Sequence, residues 1–280
     1  MEHVRWADEP ELRNPIVIAA FEGWNDAGDA ASTAVRWLRD RWTPDPLAEI
    51  DAEDFFDFTA TRPQARLDEN DQRHIVWPST DLWHGVVGGR PCVLALGVEP
   101  HLRWRTYCEQ MLGILDRVDA HLFVTLGANL REVPHTRDVP VSGSATDPAL
   151  GARLGFAPSR YEGATGIVGV IHDACRRKGI ASVSLWASVP TYVHAAPSPK
   201  AALALVDRVA EILDVSVSTT DLQIASAAYE RQITEVVAGD TDMSEYLTRL
   251  EEHYQGEQDV PSTASLVEEV ERFLREQHGD

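Results

Sequence analysis

Short apolar segments alternate with longer segments of helical periodicity along the first three quarters of the chain. The apolar segments are continuously hydrophobic and rich in β-branched residues, which is typical of strands buried on both faces of a sheet. The predicted strands are residues 15–21, 92–98, 120–128 and 181–193, with two more within residues 48–58 and 74–80. The predicted helices are residues 26–42, 104–118, 163–178 and 199–213. Gly179 is predicted to end the third helix, and Ser198 or Pro199 to begin the fourth.

This alternation predicts an α/β fold with three α/β/α layers, in which helices cover both faces of a mostly parallel sheet. From Thr219 onward the pattern changes to three successive amphipathic segments with no strand between them. We therefore predict a core domain of residues 1–218 and a helical C-terminal extension of residues 219–280. Two apolar stripes of the extension are predicted to pack on the core or on a neighbouring subunit. They are Leu222, Ala225, Tyr229, Ile233 and Val236, then Met243, Leu247, Leu250 and Tyr254.

Composition and charge narrow the classes of partner. The net charge of −20 argues against nucleic acid and anionic membranes, since both require clustered Lys and Arg. No run of about 18 apolar residues predicts a membrane span, and no apolar signal segment opens the chain, so a soluble, cytoplasmic protein is expected. The three cysteines lack metal-ligand spacing and are expected to be reduced core thiols.

The first junction between strand and helix reads EGWNDAGDAA and includes Glu22, Trp24, Asn25 and Asp26. An α/β protein often binds phosphate at this position, but the segment lacks both the phosphate-loop lysine and the GxGxxG spacing. Asp26 and Asp29 are instead expected in the first turn of the helix, where carboxylates accept hydrogen bonds from free amides. Trp24 is expected to pack nearby. No nucleotide or other cofactor is predicted.

The predicted strand that ends at Val98 is also followed by acidic and basic side chains: Glu99, His101 and Arg103. If the sheet is parallel, they share one edge with Glu22 and Glu132. Carboxylates converging there would suit a metal or a cationic group, whereas carboxylates spread apart would be solvated or paired with arginines. The chain has no HExxH motif and no second ligand at helical spacing from His172, so no metal site is predicted.

The segment LGANLREVPHTRDVPVSGSATD, residues 126–147, leaves the central strand and presents Glu132, His135 and Arg137. His135 could serve as a general base with Ser142 or Ser144 as the nucleophile, although no GxSxG elbow is present. Alternatively, the two prolines of this loop hold a rigid shape that recognises another molecule.

Four segments in order resemble the proteasome assembly chaperone family, in the branch of the eukaryotic second chaperone subunit and in its actinobacterial form. They are FEGWNDAGDAAS, GVEPHLRWRTYCEQ, TLGANLREVPHTRDVPVSGSATD and PTYVHAAPSPKAALALVDRVAEIL, within about residues 15–213. The resemblance implies a phosphorylase/hydrolase-like α/β/α fold, self-association into trimers or larger rings, and a scaffolding role without catalytic residues. It therefore assigns no catalytic residue to this chain.

We therefore predict a non-enzymatic, oligomeric protein-interaction scaffold or chaperone that binds itself and proteasome subunits. The candidate binding residues are Glu22, Trp24, Asn25, Asp26, Glu99, His101, Arg103, Glu132, His135 and Arg137. The alternative is a hydrolase or phosphorylase-like enzyme with its site around Glu132 and His135. That alternative predicts a closed pocket in which His135 lies within hydrogen-bond reach of a serine or an acid. A third hypothesis places Val133 and His135 in an interface between identical subunits.

Overall fold

The computed structural model describes residues 2–156, 161–193 and 196–259. In chain order the strands are β1 (Val4–Trp6), β2 (Ile16–Glu22), β3 (Asp45–Ile50), β4 (Gln64–Leu67), β5 (Arg73–Val76), β6 (Thr80–Val87), β7 (Arg90–Val98), β8 (Leu122–Arg131), β9 (Val141–Ala145) and β10 (Ser182–Pro190). The α-helices are α1 (Ala30–Trp42), α2 (Trp104–Arg117), α3 (Pro148–Arg153), α4 (Ile167–Lys178), α5 (Pro199–Leu213), α6 (Thr220–Ala238) and α7 (Thr241–Asp259).

The main sheet has eight strands in the order β1-β3-β6-β7-β2-β8-β10-β9. Its four central strands, β7, β2, β8 and β10, are parallel to one another. Antiparallel strands flank them on both sides: β6, β3 and β1 beyond β7, and β9 beyond β10. The strands β4 and β5 form a separate two-stranded sheet.

Strand β2 shows how the sheet acquires two hydrophobic layers. Ile16, Ile18 and Ala20 pack in one core with α1 and α5, whereas Val17, Ala19 and Phe21 pack in a second core with α2 and α4. Successive side chains of a strand point to opposite faces, so a continuously apolar strand requires helices on both sides. The predicted three-layer α/β/α fold is therefore confirmed.

Several local predictions are also confirmed. Gly179 adopts a left-handed conformation (φ 75°) at the C-terminus of α4, and the side chain of Ser198 accepts a hydrogen bond from the amide of Ala201 at the start of α5. Cys92, Cys108 and Cys175 are free and buried in the two cores. Burial raises the pKa of the Cys92 thiol to about 11, so it stays protonated at neutral pH.

The predicted loop over residues 126–147 is partly wrong. Strand β8 continues to Arg131, and Val141–Ala145 forms the edge strand β9, which pairs antiparallel with β10. Ser142 and Ser144 therefore belong to a strand, and the connecting loop is reduced to residues 132–140. The strand escaped prediction because its Ser and Gly residues carry no apolar pattern, and its pairing partner lies about 40 residues further along the chain.

The C-terminal helices follow the predicted stripes only in part. Leu222, Tyr229 and Leu250 are buried, but Val236 is 73% exposed and Ala225 is also exposed, so these two do not pack on the core of their own chain. Val237 is buried instead of Val236. The third predicted helical segment lies outside the described residues.

Candidate functional site

The candidate residues lie on three loops at one edge of the sheet. Glu22 ends β2 and is followed by Trp24, Asn25 and Asp26. Glu99 to Arg103 follow β7, and Glu132 to Arg137 follow β8. Strand β2 lies between β7 and β8, and all three run parallel, so their carboxyl ends meet at the same edge. In open α/β sheets this edge is where ligands and partners most often bind.

A buried hydrogen-bond network ties the first two loops to α4. The Asn25 side chain, fully buried, donates from Nδ2 to Oε1 of Glu99 at 2.7 Å. The same Glu99 oxygen accepts from the amide of Ile167 at 2.7 Å, at the N-terminus of α4. A carboxylate at a helix N-terminus interacts favourably with the helix dipole. Glu99 thus fixes two loops on one helix and is not displayed toward solvent as a free acid.

Gly166 completes this network because it has no side chain. A Cβ atom built there would lie 2.3 Å from Oδ1 of Asn25 and 2.6 Å from Oε1 of Glu99. Both distances are far shorter than atoms tolerate, so the network occupies the space that a larger residue would need.

Asp26 caps α1, as predicted. Its carboxylate accepts hydrogen bonds from the amide of Ala31 at 2.6 Å and from the amide of Ser32. Burial nevertheless raises the pKa of Asp26 to about 6, although the hydrogen bonds from Ser32 and Ala31 oppose this shift. Asp29 makes no such capping bond; it has a left-handed backbone (φ 48°), so its predicted capping role is wrong.

Apolar side chains project from the same edge. Trp24 is 63% exposed, Leu102 is 49% exposed and Leu130 is 46% exposed. The expectation that Trp24 packs against the helix start is therefore wrong. Its neighbours Asn25 and Asp26 are buried, so the loop is held firmly while the indole faces solvent. Exposed aromatic and aliphatic residues on a fixed scaffold are typical of binding surfaces.

The remaining residues of the first two loops do not converge on one point. Glu22 forms an ion pair with Arg36 of α1, and Arg103 forms one with Asp54. His101 accepts a hydrogen bond at Nδ1 from the amide of Asp57 at 3.1 Å. Within the part of the chain that the structure describes, no group of three or more His, Cys, Asp or Glu side chains is arranged to hold a metal ion.

His135 is buried, with 2% of its surface exposed, and joins the third loop to the C-terminal helices. Its Nδ1 lies 2.8 Å from the hydroxyl of Tyr192, and its Nε2 lies 3.0 Å from the hydroxyl of Thr234 in α6. Its carbonyl accepts from Lys200 Nζ, which also pairs with Glu230. Burial lowers the pKa of His135, which favours the neutral ring.

This environment differs from the closed catalytic pocket that the enzyme alternative predicts. Both ring nitrogens are engaged by hydroxyl groups of Tyr192 and Thr234, so neither is directed at a substrate. The recess beside the ring has a cavity volume of about 10 Å³, far below the range of about 300–1,000 Å³ usual for ligand sites. Glu132 and Arg137 are exposed and form no ion pair within the described ranges.

Sequence reasoning missed the partners of this loop: Tyr192, Lys200, Glu230 and Thr234. They lie 57 to 99 residues from His135, and their local pattern gives no sign of the contact. Only Lys200 stood out in the sequence, because it is one of two lysines in the chain.

The part of the chain that the structure describes contains no helix with the length and apolar character that a membrane span requires.

The fold and the edge define a three-layer α/β/α protein that presents apolar side chains on firmly held strand-end loops. The profile of the PAC2 family matches residues 20–237, and the chain belongs to this family. The predicted resemblance to proteasome assembly chaperones is thereby confirmed.

Two actinobacterial structures are close in sequence. A proteasome-assembly chaperone homologue of Mycobacterium tuberculosis is 46% identical, with a TM-score of 0.76, over 83% of this chain and 99% of that chain. A PAC2 family protein of Streptomyces avermitilis is 44% identical, with a TM-score of 0.77 and the same coverage. PbaB of Pyrococcus furiosus, an archaeal proteasome activator, is 15% identical with a TM-score of 0.68 over 83% of this chain and 97% of that chain, which shows the fold alone. No curated protein matches the chain significantly.

Proposed function

We propose that this protein is a non-enzymatic scaffold that assists proteasome assembly and acts as a homo-oligomer in the cytoplasm. Its partner surface is the carboxyl edge of the sheet, formed by the loops that carry Trp24 and Leu102 and by the end of β8, which carries Leu130. The partner is a proteasome subunit, which this surface binds before the subunit is fully assembled.

The relation to the M. tuberculosis protein supports the biological role. That protein is a proteasome-assembly chaperone homologue, and the alignment covers 99% of its length at 46% identity. At this identity the two chains share one fold.

The single observation that carries the partner surface is the exposure of Trp24 beside two buried residues. Its loop is fixed by Asn25, which bonds Glu99, and by Asp26, which caps α1. An aromatic residue on a rigid loop can be buried on binding with little loss of conformational entropy, and tryptophan is enriched among the residues that dominate interface energies. Leu102, after β7, and Leu130, near the end of β8, expose further apolar area at the same edge.

The polar network at this edge supports binding in preference to catalysis. Asn25, Asp26 and Glu99 direct their polar atoms toward helix amides and toward one another. The hydrogen bonds of these groups lie within the protein, although Oδ1 of Asn25 is buried without a partner, and a rigid edge of this kind suits recognition.

The test is direct binding of the purified protein to purified proteasome α and β subunits of the same organism. Binding is expected for the unassembled subunits, and Trp24→Ala should weaken it at least about tenfold, as removal of a central aromatic anchor does. Leu102→Ala should weaken it less. Absence of binding to both subunits would overturn the proposal.

Val86→Ala supplies the matched control. Val86 is 68% exposed, and its strand β6 pairs there with Pro91 near the beginning of β7, so it lies at the opposite edge of the sheet. This variant should bind as the unmodified protein does. Equal losses in the Trp24 and Val86 variants would point to non-specific hydrophobic contact and would contradict the proposed surface.

A further inference from the structure

Three exposed arginines lie at the carboxyl edge without a charged partner. Arg105 is in the first turn of α2, after β7, whereas Arg131 ends β8 and Arg137 follows it. Their side chains form no ion pair and no hydrogen bond with any residue that the structure describes. The same stretches carry only two unpaired acids, Glu132 and Asp138. The edge therefore has an excess of unpaired positive charge in a chain whose net charge is −20.

These arginines flank the apolar side chains of the edge. Strand β2 lies between β7 and β8, so Trp24, which follows β2, lies between Arg105 on one side and Arg131 on the other. The exposed Leu102 and Leu130 are close to these arginines in the chain. Neighbouring strands are about 4.8 Å apart, so the three strand ends span about 10 Å, the diameter of one helix. This surface therefore fits an amphipathic helix with an apolar stripe and acidic margins.

The chain itself contains a segment of this kind. Residues 265–277, the third amphipathic segment predicted from the sequence, lie outside the described residues. Ser265 followed by Glu268 matches the sequence signature of a helix N-terminus. The apolar residues of the segment recur at the spacing of one helix face. They are Leu266, Val267, Val270, Phe273 and Leu274.

The charges of this predicted helix fall on two sides. At about 100° per residue, Glu269 and Glu271 border the apolar stripe, one on each margin. Arg272 and Arg275 lie on the opposite side. The stripe with its margins is therefore complementary to an apolar surface flanked by arginines, both in polarity and in charge.

Helix α7 brings the chain to this edge. It lies on the loop after β8, where the hydroxyl of Thr136 donates to the carboxylate of Glu251 and the ring of Tyr192 contacts that of Tyr246. Beyond Glu251, α7 extends about 12 Å to its last residue. The connection from there to residue 265 spans up to about 20 Å, which is enough to return across the strand ends. A connection this short also gives the segment a high effective concentration at its own edge.

We propose that residues 265–277 bind the carboxyl edge of their own chain, with the apolar stripe on Trp24, Leu102 and Leu130 and the acidic margins beside the arginines. The segment then covers the partner surface until a partner displaces it. This regulatory consequence rests on the proposed function, whereas the contact within the chain does not. The apparent affinity for a proteasome subunit is lowered in proportion to the fraction of molecules whose surface is open.

The accessibility of Trp24 in the full chain measures the contact. The protein is labelled with 5-fluorotryptophan, the Trp24 resonance is identified by its absence in Trp24→Phe, and its relaxation by a dissolved gadolinium chelate is recorded by fluorine NMR. Val270→Ser with Phe273→Ser should raise this relaxation at least about twofold, because the indole loses a cover that excludes water. Circular dichroism should show that each variant is folded.

Two adjacent glutamates supply a matched control. Glu269→Gln removes a charge on the margin of the stripe, whereas Glu268→Gln removes one on the outer side and keeps the helix-start signature, which accepts glutamine. The relaxation of Trp24 should rise only for Glu269→Gln.

Exchange of the charges tests the proposed pairing. Glu269→Lys with Glu271→Lys should expose Trp24, because the lysines would face arginines. Adding Arg131→Glu with Arg137→Glu to the same chain should restore the protection of Trp24, since opposite charges then meet again. A combined variant in which Trp24 stays exposed would contradict the pairing.

Two results would overturn the inference. One is equal relaxation of Trp24 in the unmodified protein and in Val270→Ser with Phe273→Ser. The other is a protection of Trp24 that is lost on dilution, which would place the segment on a second copy of the chain.

Binding to purified, unassembled proteasome subunits separates this inference from the proposed function. If both are correct, Val270→Ser with Phe273→Ser binds the subunits more tightly than the unmodified protein does. Subunit binding that depends on Trp24, without protection of Trp24 by the segment, would contradict the inference and leave the proposed function standing. Protection by the segment without any subunit binding would support the inference and contradict the proposed function.

Discussion

The loops after β2, β7 and β8 and the arm formed by β4 and β5 leave the same edge of the sheet, yet they use their polar residues in opposite ways. In the loops, Asn25, Asp26 and His135 are buried and bonded to helices or to neighbouring loops. In the arm, arginines and acids of similar density are exposed and form no ion pair with any described residue. This difference shows that the helices covering a strand end decide whether its polar residues are buried and hydrogen-bonded or exposed.

Gly166→Ala should produce the largest effect, because it breaks the network that holds the loops. The added Cβ would lie 2.3 Å from Asn25 Oδ1, and the bonds of Glu99 to Asn25 and to the Ile167 amide would have to shift. Overpacking and two lost hydrogen bonds together should lower the free energy of unfolding by about 4 kcal/mol. Urea denaturation measures this change.

Gly151→Ala is the matched control in α3. Its nearest new neighbour would be 3.6 Å away, at Cβ of Ala145. The variant should be unchanged or more stable by up to about 1 kcal/mol, because alanine restricts the unfolded chain. A loss at Gly166 no larger than the change at Gly151 would show that the loop network tolerates rearrangement.

We expect the second-largest effect for Asp26→Asn, and it should appear in the pH dependence of the free energy of unfolding. Burial raises the pKa of Asp26 from 3.8 to about 6 in the folded protein. Between pH 3.8 and about 6 the folded state therefore holds a proton that the unfolded state has released. As pH rises through this range, Asp26 lowers the free energy of unfolding by about 3 kcal/mol in total. The amide introduced by this substitution does not titrate, so the variant should match the unmodified protein near pH 4 and exceed its stability at pH 7.

His172 provides a contrast of opposite sign. It contacts Thr125 and Ser182 in the core, and burial lowers its pKa from 6.5 to about 4. The unfolded state binds the proton more readily, so this group raises stability as pH rises from about 4 to about 6.5. The variant His172→Gln should lose this rise in stability.

The Asp26 prediction has its own contrary outcome. If Asp26→Asn is instead less stable than the unmodified protein at pH 7, the capping bonds to Ala31 and Ser32 outweigh the burial of the carboxylate.

His135→Ala should lower the free energy of unfolding by about 2 kcal/mol, since it removes a buried ring and the hydrogen bonds that its two nitrogens form with Tyr192 and Thr234. His74→Ala in the arm is the matched control, because His74 is exposed, and its change should stay within about 0.5 kcal/mol. Thermal and urea unfolding measure both. Equal changes in stability for the two histidine variants would contradict the distinction between the buried His135 and the exposed His74.

Leu67→Ser should have the smallest effect on stability, within about 0.5 kcal/mol for the monomer, because the side chain is 62% exposed and outside both cores. Urea denaturation at low protein concentration measures this value. A loss of several kcal/mol would mean that the arm packs on its own domain, and the contrast with the loops would fail.

Local patterns predicted a substantial part of the fold. The apolar strands β2, β7, β8 and β10, the helices between them, and the helix-end roles of Asp26, Gly179 and Ser198 all follow from neighbouring residues. These features depend on periodicity and on hydrogen bonds within a few positions, which a single sequence displays directly. The edge strand β9 lacked such a pattern and was missed.

The candidate site was predictable in position but not in arrangement. Parallel strands bring the loops with Glu22, Glu99 and Glu132 to one edge, and this follows from the strand pattern alone. The use of each residue depended on distant partners: Glu99 meets Asn25 across 74 positions, and His135 meets Thr234 across 99. Trp24 was expected to pack and is exposed, whereas its neighbours Asn25 and Asp26 are buried.

The sequence by itself determined the layers, since a strand that is apolar on both faces must be covered on both faces to remove that surface from water. It also determined which loops meet at the carboxyl edge. Only the tertiary structure decided which of their polar groups are buried and hydrogen-bonded, which apolar groups are exposed, and that the β4–β5 hairpin lies outside both cores. Those outcomes depend on which helix lies over each loop, and burial is a property of that packing and not of the residue type.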